Sequence, residues 1–298
     1  MAGMLDTYRG YVSMQECDEM GHMNIQHYIA KTSDASFHIR DALGLSASQQ
    51  ATSGRGYIAL EHHIRFHREL KTSDLVLIRS GIVEMRDRTL VKFQEMREVL
   101  DDRLAATFVV NVGCLDLETR RLTTWPEATK ELAAELKCEM PDYAAARGIG
   151  REVIDREVSR ERADAAGMFE SNRSAVNPWE CDTNAHMNAR FIMSRFSDAQ
   201  GHMWAAAGLG RHEQAASGLA TATVEMRLIY FSELNAGDTL YVRTGLVEAA
   251  DKTLRYRHWM FNAETHEPVC AAEGLGLLFD RETRKAVSIP AQVRARFI

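Results

Sequence analysis

The chain has 298 residues, about twice the length of a common single domain, so two domains or one large one are expected. Hydrophobic residues make up 45% and charged residues 26%, which allows buried cores and excludes a disordered composition. The net charge of −6 comes with no basic run, no membrane-length apolar stretch and no basic-then-apolar leader in residues 1–6, so a cytoplasmic protein with neither nucleic-acid nor membrane partner is expected.

In chain order, residues 10–13 have strand character and lead into Glu16-Cys17-Asp18. Ile25, Tyr28, Ile29, Thr32, Ala35, Ile39, Ala42 and Leu43 then recur at three- and four-residue spacing, which predicts a helix of about five turns. Asn24 suits its N-cap and Gly44 its stop. A small-residue loop over 46–54 precedes four predicted strands at 57–67, 75–85, 89–99 and 104–115, separated by turn residues such as Ser73-Asp74 and Asp87-Arg88.

The remainder repeats this plan. A shift of 164 positions superimposes residues 9–126 on 173–290 with 36 identities over 118 positions, where unrelated sequences would give about 7. The second copy therefore carries strand character at 174–177 and a helix opened by Asn188 and closed by Gly208. A loop over 210–218 and strands at 221–231, 239–249, 253–261 and 269–279 follow. The predicted domains are 1–126 and 173–298, joined by a non-repeating helical linker, 127–172, with helices at 127–138 and 152–165 presenting solvated charged faces. One long helix followed by hairpin-connected strands is α+β, an antiparallel sheet curled around a helix in each copy.

The most informative repeated residues lie at the helix entrances. Asp18-Glu19-Met20-Gly21-His22-Met23-Asn24 and Asp182-Thr183-Asn184-Ala185-His186-Met187-Asn188 both resemble the D-x-x-x-H-x-N box of the hotdog-fold thioesterases, the 4-hydroxybenzoyl-CoA thioesterase-like superfamily. The second copy is similar to acyl-ACP thioesterases and to the acyl-CoA thioesterases of carnitine breakdown. Tyr230-Phe231-Ser232-Glu233 and Ala236-Gly237-Asp238 extend that likeness. The resemblance implies a tandem hotdog fold, active sites at the seam of the paired units, and further association into a homodimer. It also implies an acyl-CoA thioesterase releasing a carboxylate and free CoA without metal or other cofactor, CoA being part of the substrate. An acyl-ACP thioesterase and a non-catalytic acyl-CoA-binding module are the alternatives.

The residues fit that chemistry. A carboxylate just before a helix N-terminus can activate water beside free N–H groups that polarise a carbonyl. Asp182 is expected as base or nucleophile, with Asn184 orienting water and His186 sharing the proton. Asn188 belongs to the same box, and Asp18, His22 and Asn24 form its counterpart. Glu61 and Glu225 coincide under the shift and are expected to complete the sites across the pair. Met20 stands where the second copy has Asn184, which favours the second box, whereas Gly21 opposite Ala185 favours the first.

Structural roles compete with these. Asp and Asn are favoured helix caps. Cys17 and Cys181 are expected as packed thiols, and five cysteines without a C-x-x-C pair give neither a disulfide framework nor a zinc site. Glu61, His63 and His67 share a strand face without a third ligand placed by spacing, so no metal is expected. His38 and His202 are expected in a core or an interface.

Overall fold

The computed structural model describes residues 3–296, and the chain divides into two compact units that meet at Ala145 and Ala146. In the first unit, strand β1 (Leu5–Tyr11) and a 3-10 turn (Met14–Glu16) lead into helix α1 (Ile25–Ala42) and the short α2 (Ala47–Ser53). Strands β2 (Arg55–Phe66), β3 (Leu75–Met85), β4 (Thr89–Glu98) and β5 (Leu104–Asp116) follow, then β6 (Arg121–Leu122), α3 (Glu127–Glu135) and a 3-10 turn (Asp142–Ala144). The antiparallel order is β1-β3-β4-β5-β2, with β6 on β5.

The second unit repeats the arrangement. After α4 (Arg160–Ala165) come β7 (Phe169–Ala175), a 3-10 turn (Pro178–Glu180), α5 (Ala189–Ala206), α6 (Arg211–Ser217), β8 (Leu219–Tyr230), β9 (Thr239–Ala249), β10 (Thr253–Asn262), β11 (Pro268–Asp280) and α7 (Ala291–Arg294). The strand order is β7-β9-β10-β11-β8. Each unit is a hotdog: an antiparallel sheet against one long helix. Ile29, Ala35 and Ile39 of α1, and Phe196, Ala199 and Met203 of α5, form the fully buried helical stripes.

The helices start and stop as their sequences dictate. Asn24 and Asn188 accept from the main-chain N–H groups of Gln26 and Arg190, and Gly44 and Gly208 follow the helix ends with φ of +69° and +79°. A bulge recurs on the first long strand of each unit, between Ala59 and Glu61 and between Thr223 and Glu225. The extra residue flips the alternation. Thr223 faces α5, where its hydroxyl lies 3.0 Å from the Tyr256 Oη, whereas Glu225 turns to the opposite face.

Several expectations need correction. The loops at 46–54 and 210–218 contain helices α2 and α6; Ser46 and Gln49 form a capping box that holds α2. Strands β1 and β7 begin five residues earlier than expected. In the segment 152–165 only Arg160–Ala165 is helical. The Asp155 carboxylate accepts from the Glu157 N–H at 2.9 Å and pairs with Arg162 at 2.8 Å, a local turn that competes with helix. The non-repeating segment does not stand apart, since residues 127–145 fold with the first unit and residues 146–172 with the second. His38 and His202 are exposed, outside any core.

Candidate active site

Both boxes fold into the same closed turn. The Asp18 N–H donates to the His22 carbonyl at 2.8 Å, while the Asp18 Oδ1 accepts from the N–H groups of Met20 (2.9 Å) and His22 (3.1 Å). The second box matches it: Asp182 N–H to His186 O at 2.9 Å, and Asp182 Oδ1 from Asn184 (2.8 Å) and His186 (3.4 Å). One carboxylate oxygen of each aspartate is thus committed to holding its loop. The turn forces a left-handed backbone on its fourth residue, Gly21 with φ +76° and Ala185 with φ +63°.

The loop is then pinned to the strand exit beside it. Met23 donates to the Leu70 carbonyl and Met187 to that of Leu234, both at 2.8 Å. This register brings His22 Nε2 to 3.2 Å from Glu69 Oε2, and His186 Nε2 to 3.2 Å from Glu233 Oε2. All four side chains stay partly open to solvent, as a site that meets a substrate requires. The histidine–glutamate pair is the feature of the box that motif reading missed. Its signal was present, because Glu69-Leu70 and Glu233-Leu234 coincide under the repeat shift, but it lay beyond the box and had been given no role.

An ion pair with a buried cation supports each box. Glu16 accepts from the Lys31 Nζ at 2.7 Å, and the equivalent Glu180 takes the Arg195 guanidinium on both oxygens at 2.8 Å. The carbonyls of the same glutamates accept from the N–H groups of Asn24 and Asn188, fixing the helix entrances. Burial pushes the Glu180 carboxyl up, but the Asn177 N–H and the Arg195 charge outweigh it, and the net shift is downward. Glu16 behaves likewise with Lys31 and Ser13. Cys17 and Cys181 are half-buried, and their sulfurs lie against the carbonyls of Ser13 and Asn177.

A sequence model described as the thioesterase-like superfamily matches residues 12–133 and again 176–297. The chain belongs to the thioesterase-like superfamily. A protein from Lactobacillus plantarum that carries the provisional name oleoyl thioesterase shares the fold across 93% of this chain and 96% of its own, with a TM-score of 0.72 at 15% identity. A chloroplastic acyl-acyl carrier protein thioesterase of Arabidopsis thaliana is 29% identical over 91 residues, 30% of this chain and 47% of that protein. An L-carnitine dehydrogenase/betainyl-CoA thioesterase of Rhizobium meliloti is 25% identical over 133 residues, 45% of this chain and 27% of that protein. The chain thus covers less than half the length of these curated relatives.

Within this superfamily fold the two strand glutamates do not join the boxes of their own units. The bulge aims Glu225, which is 0% exposed, at the non-repeating segment, where its carboxylate accepts from the N–H groups of Arg147 (3.1 Å) and Gly148 (2.7 Å). Its neighbour Arg227 donates to the Ile149 carbonyl on the same face. Glu61 follows an identical bulge, and Arg65 on its face donates to the carbonyls of Tyr143 and Ala145. Strand geometry likewise separates His62 from His63, and His67 Nε2 lies 3.2 Å from the Thr107 hydroxyl. The box itself holds Asp182, Asn184, His186 and Asn188, with Asp18, His22 and Asn24 in the first copy.

Proposed function

We propose that the chain is a thioester hydrolase that cleaves an acyl-CoA to a carboxylate and free CoA. The observation that carries this is the partly exposed His186–Glu233 pair beside the Asp182 turn at the entrance of α5. Two oriented titratable groups next to a helix N-terminus suit attack of water on a carbonyl. In this reading Asp182 takes a proton from the attacking water through the oxygen that does not hold the turn, and the Asn184 amide orients that water. The water oxygen bonds to the thioester carbon, the carbon–sulfur bond breaks, and His186, held by Glu233, gives a proton to the departing thiolate; the proton held by Asp182 then passes through solvent to His186, which restores both groups. The steps use side chains alone, and CoA is the substrate's own leaving group.

Thiol release from a panel of acyl-CoAs tests the scheme. Asp182→Asn and His186→Gln should each lower kcat by about 10²–10⁴-fold, and Glu233→Gln by less, with little change in fold by circular dichroism. Wild-type rates in Asp182→Asn and His186→Gln together would overturn the assignment to the second box, and the same pair at Asp18 and His22 would then locate the reaction. The relative named as an acyl-acyl carrier protein thioesterase supports a second reading, a carrier-protein thioester as substrate. One acyl group offered on CoA and on carrier protein separates the two, and binding without turnover on either would favour a non-catalytic module.

A further inference from the structure

The two copies differ in what fills the space between the long helix and the sheet. In the second unit, Trp204, Tyr256 and Ile289 belong to one buried apolar cluster, and the Tyr256 hydroxyl is satisfied by Thr223 and Gln200. The repeat shift replaces these three with Arg40, Lys92 and Trp125 in the first unit. Two cations therefore stand where the sister copy has hydrocarbon, and they are only 6% and 2% exposed.

No carboxylate pairs with either cation among the described residues. Lys92 donates to the Ser36 hydroxyl and lies 5.9 Å from the centre of the Tyr57 ring. Arg40 stacks on the Phe37 ring at 4.5 Å, and its charge reaches Tyr57. The Tyr57 and Trp125 rings are 6.3 Å apart. The Arg40 Nε, Tyr57 Oη and Trp125 Nε1 are buried without a hydrogen-bond partner among the described residues. Burial lowers the Lys92 pKa to about 7, the response of an ammonium that lacks a counter-charge. Uncompensated buried cations and orphaned donors are costly, and a fold that tolerates an apolar core at this place has no structural need of them.

We infer that the interior of the first unit is a binding site for a carboxylate-bearing ligand, held by Lys92, Arg40 and the Tyr57 hydroxyl against the Tyr57 and Trp125 rings. A planar guanidinium and an ammonium match a carboxylate, and aromatic walls suit the hydrocarbon attached to it. The carboxylate belongs either to a free organic acid or to the far end of an acyl group whose CoA thioester lies at the box of the same unit, Asp18 and His22. Only the second source rests on the thioesterase reading. A trimethylammonium acyl group is disfavoured in this interior by like charge.

Calorimetric titration with octanoate, with octan-1-ol as the neutral control, tests the free acid; steady-state comparison of suberyl-CoA with octanoyl-CoA tests the acyl end. Octanoate should bind the wild type, and Lys92→Met and Arg40→Trp should each weaken it about tenfold or more while leaving octan-1-ol unchanged. If the acyl end is the ligand, kcat/KM in the Asp182→Asn background, where the first box is the intact one, should favour suberyl-CoA about tenfold, a preference lost when Lys92→Met or Arg40→Trp is added. Without ligand, Lys92→Met should melt at the wild-type temperature or above, because it removes a buried charge. A lower melting temperature for that variant overturns the assignment, since the ammonium would then be compensated within the protein. So does the absence of both effects, octanoate binding in the wild type and suberyl preference in Asp182→Asn. Failure of every CoA ester to turn over counts against the enzyme reading alone and leaves the octanoate titration as the deciding measurement.

Discussion

At the scale of single residues, the two boxes share one backbone and differ in what it carries. The left-handed position is Gly21 in one and Ala185 in the other, and an L side chain pays about 1 kcal/mol or more there. Gly21→Ala should therefore lower unfolding free energy by about 1 kcal/mol, and Ala185→Gly should raise it by a similar or smaller amount, both read from urea denaturation. Met20 and Asn184 each donate the same main-chain N–H to the aspartate, so the exchange between them alters the side chain and leaves the turn intact. If an amide is all the first box lacks, Met20→Asn in an Asp182→Asn background should raise residual thiol release by about tenfold or more, with unchanged melting. The boxes themselves were legible in sequence because their residues are adjacent in the chain. Glu69 and Glu233 were not, because their pairing with histidine depends on a strand exit lying beside a loop some 47 residues earlier.

At the scale of elements, periodicity located what burial dictates. Strands β3 and β9 occupy the expected 75–85 and 239–249, and both long helices begin at their Asn caps, since each has one apolar stripe and clear stop residues. The short α2 and α6 escaped because seven mostly polar residues give no apolar stripe. Nor does periodicity reveal the charge buried under each helix. Arg195 and Lys31 occupy the same place, so Arg195→Lys should cost little, whereas Arg195→Met leaves Glu180 buried and unpaired and should cost about 3–5 kcal/mol. The sign of the pH dependence follows from the depressed Glu180 pKa. A carboxyl more acidic in the folded state stabilises above its unfolded pKa and loses that contribution as pH falls through the folded value. Wild type should thus lose stability on acidification below the ordinary glutamate pKa, and Glu180→Gln should show a shallower loss in denaturation curves recorded between pH 3 and 6.

At the scale of the whole molecule, duplication was fully legible, but the segment that does not repeat was misjudged. It had been read as solvated helices, yet in each unit it covers the sheet face opposite the long helix. Tyr143 Oη donates to Glu95 at 2.8 Å in the first unit, and residues 147–149 engage Glu225 and Arg227 in the second. Charged strand positions such as Glu95 and Glu273 are therefore only 1% exposed, and periodicity does not reveal it, because their cover comes from a stretch with no internal counterpart to compare. Glu273 shows the consequence. Burial raises its carboxyl, and although Arg257 at 3.0 Å and Arg255 at 3.7 Å pull it down, the pKa stands at about 7. Here the sign is opposite to that of Glu180. Between its ordinary value and about 7 the folded state holds a proton that the unfolded chain has released, so stability must fall as pH rises through that window. The shift is worth on the order of 3 kcal/mol. Glu273→Gln, which keeps the shape and cannot ionise, should be more stable than wild type at pH 8 relative to pH 5 by a large part of that amount. Equal differences between pH 5 and pH 8 in the two proteins would show that Glu273 stays ionised beside its arginines and that the cover over this face does not exclude water.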